Sequence, residues 1–414
     1  MDVNVGPSTA VSATSVLGRL IAPVEDHRFF VKHWEREPLL VQRHDPPYFD
    51  DLVTLTDVDT ILAGSVRPPH LRVLHQGSEV TPGADRYLDP EAVYAHFRDG
   101  CTISLQFLHE RIPPLGNLCR ALSRQLSAAC QINAYLTPPG EQGLATHYDT
   151  HDVFALQICG SKRWRIYDQP VRHPLEGQTD CCSGEGRSEP TMEFDLTAGD
   201  VLYLPRGFAH DAAATDLTSL HLTIGVRPLT WAHTMLSAME SVIERNPRYR
   251  RSLPTGFASD TDIQHTAAST LAEMLELALA EIGPEEVIAD AAAAARSRAI
   301  PALQGHLLDL NAMPNLQHTS RIQRRVDVPM AVGRAADGRA ELTSPGKTLR
   351  MPSHLADDLH FIVKAGEFTA HDLPGTLDDS GRLTLVKRLV REGLLTCRDL
   401  PAGTRRSSSS AAEE

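Results

Sequence analysis

Between residues 131 and 226, apolar and polar side chains alternate with a period of two, interrupted at short intervals by Gly and Pro. Successive side chains of an extended segment point to opposite faces, so each block reads as a half-buried strand. Residues 132–137 place Asn133, Tyr135 and Thr137 on one face, opposite Ile132, Ala134 and Leu136. Residues 153–158 and 162–167 flank the turn Cys159-Gly160-Ser161, and residues 193–196 and 201–204 flank Ala198-Gly199-Asp200. Residues 219–226 set Ser219, His221 and Thr223 on a single face. Many short strands at regular spacing predict a mainly β domain, a double-sheet jelly roll of the cupin kind. Within it Lys162 shares a face with Trp164 and Ile166, and a lysine on an apolar side needs an anionic partner.

The flanking segments follow other periods. Residues 17–34 are helical in part, with Phe29, Phe30 and Trp34 on the apolar side, and residues 37–41 form a strand. Helices are predicted over 51–62, 90–97 and 113–129, the last with Leu115, Leu118, Leu122 and Leu126 along one side, and a short strand over 101–105. Beyond Pro228 helices are predicted over 231–244, 266–282 and 284–298. Residues 330–351 read as a hairpin turning at Asp337-Gly338, and 354–367, 371–373 and 381–393 continue with a winged-helix rhythm. The chain therefore divides into a disordered N-terminus (1–15), a β domain (16–228), a helical region (229–325), a winged-helix-like domain (326–402) and a Ser-rich disordered tail (403–414).

Hydrophobic residues make up 42% of the 414 positions and charged residues 22%, values ordinary for a water-soluble globular protein. The formal net charge of −13 argues against general nucleic-acid affinity. Residues 330–400 carry acid and base in near balance, so the winged-helix-like segment shows no basic face and DNA binding is not expected. The seven cysteines include no C-x-x-C pair, and Cys181-Cys182 read as ordinary thiols in a polar loop (173–190). No apolar run reaches membrane-spanning length and the first residues lack a signal-peptide pattern, so no membrane association and a cytoplasmic setting are expected.

The chemistry concentrates at His147-Tyr148-Asp149. Residues i and i+2 of an extended segment share a face, so His147 and Asp149 can reach one metal ion together. His210, ending Leu204-Pro205-Arg206-Gly207-Phe208-Ala209-His210, is the candidate third ligand. Two imidazoles and a carboxylate on one side of a metal form the facial triad of non-haem Fe(II) oxygenases. Lys162, one hairpin away, suits the distal carboxylate of a 2-oxoglutarate co-substrate. Asn133 and Thr137 are candidate co-substrate contacts. Tyr135, His221 and Thr223 are assigned to the substrate side, although a tyrosine in a strand and a histidine on a sheet face are more often core residues. His151 and Asp152 are expected behind the ligands or at the surface.

Asn133-Ala134-Tyr135-Leu136-Thr137-Pro138-Pro139-Gly140, His147-Tyr148-Asp149, Gly160-Ser161-Lys162-Arg163-Trp164-Arg165 and the segment ending at His210 together resemble the JmjC/cupin-4 family of ribosomal oxygenases. The resemblance implies a JmjC-type double-stranded β-helix, a helical dimerisation region and a winged helix. It implies iron on His147, Asp149 and His210, with Fe(II), 2-oxoglutarate and O2 consumed in hydroxylating a protein or peptide. By resemblance the target is the β-carbon of Arg or His in a ribosomal protein, and the protein is a homodimer. The loop 173–190 and Gly225 depart from the family pattern on the substrate side. Other readings are a hydroxylase of a secondary-metabolite precursor, metal-cupin chemistry without 2-oxoglutarate, a JmjC demethylase, and a metal-binding sensor without oxygenase activity.

Overall fold

The computed structural model describes residues 15–64, 66–80, 89–178, 189–297, 303–325 and 328–398. The predicted disorder of the two ends and the thiols Cys181 and Cys182 lie outside the described residues. The chain forms two compact units, residues 1–228 and 229–414.

The first unit opens with two short helices, α1 (Val16–Ile21) and α2 (Asp26–Lys32), then β1 (Leu39–Val41) and α3 (Leu55–Ala63). There follow β2 (Leu71–His75), β3 (Ser78–Glu79), α4 (Pro90–Arg98), β4 (Thr102–Leu105) and α5 (Pro113–Leu126). The predicted helix over 113–129 stops early because Ser127 turns left-handed, at φ 49°, and the chain enters β5 (Ala128–Thr137) at once. The jelly roll is completed by β6 (Asp152–Cys159), β7 (Ser161–Ile166), β8 (Met192–Thr197), β9 (Val201–Leu204), β10 (His210–Ala214) and β11 (Ser219–Pro228). Strands β2 and β10 were not expected from the alternation.

An eight-stranded antiparallel sheet runs β1-β9-β6-β11-β5-β4-β2-β3, and a second sheet runs β10-β7-β8. Val153, Ala155, Leu202 and Leu204 of the large sheet pack with Trp164, Ile166 and Leu196 of the small one. On β11 the even positions Leu220, Leu222, Ile224 and Val226 are fully buried, and α5 packs on β5 and β11 with Leu115, Leu118 and Leu122 inside. The odd positions of β11 pair across to β5 as Ser219 with Thr137, His221 with Tyr135, Thr223 with Asn133 and Gly225 with Gln131. The hydrophobic alternation therefore sets both the core and a polar stripe on the inner face.

In the second unit come helices α6 (Trp231–Arg245), α7 (Thr261–Glu281), α8 (Pro284–Ser297) and α9 (His306–Ala312), then β12 (Ile322–Arg324). The expected hairpin is a three-stranded meander, β13 (Ala331–Arg334), β14 (Ala340–Ser344) and β15 (Lys347–Met351), because the chain turns a second time at Gly346 with φ 68°. It ends with α10 (Ala356–Lys364), β16 (Glu367–Phe368), α11 (Asp379–Arg391) and β17 (Leu395–Cys397). Strand β12 pairs with both β16 and β17, and Ala312, Leu316 and Ile322 join the core under α10 and α11. The C-terminal core thus begins before residue 326.

Candidate metal centre

His147, Asp149 and His210 offer ligand atoms that all lie within 4.8 Å of one another, the group of this kind found among the described residues. His147 and Asp149 come from the segment leading into β6, and His210 begins β10. The two histidines exchange backbone hydrogen bonds, with His147 N–H donating to His210 O at 3.1 Å and the reverse at 2.8 Å. That pairing brings the imidazole centroids to 4.5 Å. The Nδ1 of His147 lies 2.8 Å from the Ala145 carbonyl oxygen, and that of His210 lies 3.1 Å from the Phe208 carbonyl oxygen. A carbonyl oxygen only accepts, so each Nδ1 carries the proton and each Nε2 keeps its lone pair for a metal. His210 Nε2 stands 3.7 Å from Asp149 Oδ2. Ligands about 2.1 Å from one ion sit roughly 3 Å apart in cis positions, within a small side-chain adjustment of this arrangement. The donor set, two neutral imidazoles and one carboxylate, would hold a divalent iron.

The electrostatics suit ligation. Burial and the His147 ring push His210 down to about 4, which keeps the imidazole neutral. Burial alone would raise the Asp149 carboxyl, but His151, His210, His147 and Arg227 outweigh it and hold it below the usual carboxylate range.

Two carboxylates tie the ligand-bearing segments together, Asp211, which sequence reasoning did not assign, and Asp152. Asp211, next to His210, accepts from Thr146 Oγ1 at 2.6 Å, Tyr167 OH at 2.9 Å and Arg165 Nε at 2.8 Å. Thr146 adjoins His147, so this one carboxylate braces both histidines. Asp152, expected behind the ligands or exposed, is fully buried and holds Arg206 through the backbone N–H at 3.0 Å and Nη1 at 2.9 Å. Gly207 N–H then donates to the Asp149 carbonyl oxygen at 2.9 Å. The sequence signal was adjacency, each acid lying within three residues of a ligand. Asp211→Asn is expected to weaken Mn(II) binding roughly 10–100-fold, the range seen when partners behind metal ligands are removed. Calorimetric titration of the metal-free protein checks this, and an unchanged affinity would refute the bracing role.

A cavity of about 380 Å³ opens from the triad and is lined by Lys162, Trp164, Tyr135, Asn133, Thr102, His221 and Thr223, among others. Lys162 is 3% exposed, and burial without an acidic partner lowers its ammonium to about 7. Asn133 is at the wall, its Oδ1 accepting from Phe107 N–H at 3.0 Å. Thr137 is fully buried behind the wall, and its hydroxyl accepts from Thr102 Oγ1 at 3.1 Å. Thr102, overlooked in the sequence, lines the cavity where Thr137 does not. Tyr135 stacks on His221 with centroids 5.0 Å apart and rings 10° from parallel. Arg72, Gln131, His151 and Arg227, all less buried than Lys162, also line the cavity. Gly225 lies beneath His151, where a β-carbon would stand 2.6 Å from the ring, so glycine at this position makes room for the imidazole.

Residues 108–234 match the family model described as a JmjC domain. Ribosomal oxygenase 1 of Rattus norvegicus is 32% identical over 318 residues, covering 70% of this chain and 52% of that protein. Bifunctional lysine-specific demethylase and histidyl-hydroxylase NO66 of Drosophila grimshawi is 33% identical over 257 residues, covering 58% of this chain and 35% of that protein. The chain spans about half the length of the first of these relatives and less of the second. Escherichia coli ribosomal oxygenase YcfD superposes with a TM-score of 0.53 at 17% identity, over 90% of this chain and 98% of that one. A structure of YcfD in complex with cobalt and 2-oxoglutarate gives a TM-score of 0.51 at 17% identity, over 89% and 97%. These two structures are alike in fold.

Proposed function

We propose that this chain, whose residues 108–234 match the JmjC-domain model, is an Fe(II)- and 2-oxoglutarate-dependent oxygenase that hydroxylates an amino-acid side chain. The observation that carries the reading is one cavity holding both the His147–Asp149–His210 cluster and the buried, acid-free Lys162. When bound, iron, 2-oxoglutarate and O2 supply oxidative decarboxylation to succinate and CO2, with one oxygen atom inserted into a substrate C–H bond. His147, Asp149 and His210 hold the metal through two neutral Nε2 atoms and one carboxylate oxygen. Lys162 holds the distal carboxylate of the co-substrate and recovers its charge in doing so. Asn133 and Thr102, the latter fixed by Thr137, orient the co-substrate from the wall of β4 and β5. Thr223 and the less buried lining residues face the substrate.

The substrate proposed is a ribosomal protein or another peptide, modified at the β-carbon of Arg or His. The names of the relatives, ribosomal oxygenase and histidyl-hydroxylase, support this choice. The test is anaerobic loading with Fe(II), addition of 2-oxoglutarate and air, and ribosomes from cells lacking this gene as substrate. Iron-dependent succinate together with a single-oxygen mass increase on one ribosomal peptide is expected. Succinate no higher than in chelator-treated protein, with no modified peptide, would defeat the reading.

The partner proposed for the helical region is a second copy of the chain. Helix α6 exposes Trp231, Met235 and Leu236, and α7 exposes Leu271, Leu275 and Leu279 at four-residue spacing along one side. An apolar surface of this kind is characteristic of an interface. Light scattering is expected to give a dimer for the wild type and a monomer for Met235→Glu/Leu275→Glu, and a monomeric wild type at micromolar concentration would exclude it. The winged-helix-like domain read from the sequence over 326–402 is supported by α10, α11 and the β13–β15 meander. No helix among the described residues is long and apolar enough to cross a membrane.

A further inference from the structure

The cavity is lined by more buried nitrogen donors than Lys162. His221, on the inner face of β11, is 5% exposed, and its Nδ1 has no hydrogen-bond partner. Trp164 is 4% exposed, and its Nε1 likewise has none. Trp164 sits two residues from Lys162 on the same face of β7, and its ring meets that of His221 edge-on at 5.8 Å. The core histidine expected from the sequence is therefore stacked and buried but not satisfied. Buried polar atoms in native proteins are almost always hydrogen-bonded, and those left over point to a missing partner. The carboxylates lining the cavity are Asp149, at the metal end, and Asp211, already bound by Arg165, Thr146 and Tyr167. Among the described residues lining the cavity, no further acid is left for Lys162, His221 and Trp164.

We propose that His221 and Trp164, together with Lys162, form a three-donor cradle for the distal carboxylate of the co-substrate, so that His221 is a co-substrate residue rather than a substrate one. The proposal rests on the 2-oxoglutarate reading of the site. A carboxylate has lone pairs for several donors, and one ammonium cannot satisfy them all. Burial and the Lys162 charge both push the His221 imidazole well below its usual value, which keeps it neutral and leaves Lys162 as the single cation opposite the anion. Its stack on Tyr135 fixes the ring plane, so little side-chain freedom is lost on binding.

The test uses the whole chain, saturating Mn(II), no oxygen, and two keto acids titrated by calorimetry. 2-Oxoglutarate carries the distal carboxylate, and 2-oxopentanoate carries a methyl group in its place. His221→Phe keeps an aromatic ring against Tyr135 and deletes the nitrogens, His221→Gln returns a donor, and Trp164→Phe deletes the indole N–H. The expected result is a 10–50-fold loss of 2-oxoglutarate affinity in His221→Phe, partly restored in His221→Gln, with less than a twofold change for 2-oxopentanoate. Equal losses for both ligands would mean that His221 only shapes the cavity, and no loss would mean that it does not touch the anion, so either overturns the cradle. If His221→Phe does not fold, Trp164→Phe is read against the same pair of ligands and by the same criteria. A wild type that does not distinguish the two keto acids defeats the reading of Lys162 and the cradle together, an outcome separable from failure of the variants alone.

Discussion

Lys162→Met is expected to weaken 2-oxoglutarate binding roughly 10–100-fold, the value of a hydrogen bond to a buried charged group at about 1.5–3 kcal/mol. The wild-type side chain is almost fully buried and has no acid beside it, which is why its ammonium falls to about 7. In the free protein at pH 8 the amine is therefore mostly neutral. Binding the distal carboxylate raises its proton affinity, so each molecule bound takes up close to one proton. Affinity is expected to fall by up to about one log unit per pH unit above pH 7, until the proton affinity of the complex is passed. Calorimetry at saturating Mn(II) in buffers of different ionisation enthalpy measures the uptake directly, and Lys162→Met should abolish it. The sign for stability is opposite. A lysine whose ammonium is depressed destabilises the free fold while both states are protonated, below about pH 7, and this penalty fades as pH rises towards the unfolded value near 10.5. The ligand-free Met variant should thus melt above the wild type at pH 6–7, with the gap closing towards pH 10. A Met variant that binds as tightly as the wild type would remove Lys162 from the site.

The parts of this architecture that the sequence exposes are those governed by local periodicity. Strands β5, β7 and β11 were legible because one face of each is apolar and the other carries polar side chains, and β6 because its apolar run is short and ends at the turn Cys159-Gly160-Ser161. The same period placed Lys162 beside Trp164 and put His147 and Asp149 on one side. Strand β10 was not legible, since His210-Asp211-Ala212-Ala213-Ala214 has little intrinsic β preference and is extended because it pairs with β7. Strand β2 is short and follows Pro68-Pro69, so its alternation was masked by the break. The least legible features are those made by long-range contact. Nothing local to His221 tells that its Nδ1 lacks a partner, because that depends on what β7 presents from the opposite sheet. Likewise Asp211 looks like a surface acid beside a ligand, and Asp152 could stand behind the ligands or at the surface, until the fold brings Thr146 and Tyr167 to the first and Arg206 to the second.

Among those contacts, the Asp152–Arg206 pair is expected to show the largest effect on stability. Asp152 opens β6, three residues after Asp149, and Arg206 lies four residues before His210. The guanidinium is 7% exposed and bridges Asp152 Oδ2 at 2.9 Å and Glu35 at 2.6 Å, so it links α2's flank to both ligand-bearing segments. In Asp152→Ala the buried guanidinium keeps only the half-buried Glu35, and removing one member of such a pair typically costs about 3–5 kcal/mol. For a unit of this size that corresponds to a fall in Tm of roughly 10 °C. Replacing both partners with apolar groups, as in Asp152→Leu/Arg206→Met, is expected to recover most of that loss, since a well-packed apolar pair avoids the desolvation of two charges. Metal affinity should not recover with it, because the backbone N–H of Arg206 donates to Asp152 and that hydrogen bond fixes the turn leading to His210. Thermal denaturation of the metal-free protein and Mn(II) titration of the same samples separate the two contributions. If the double variant regains both stability and metal binding, the carboxylate is a packing element without a role in holding the ligands. If stability returns and metal binding does not, then the ion pair exists to position Asp149 and His210, and its buried charge is retained for that geometry.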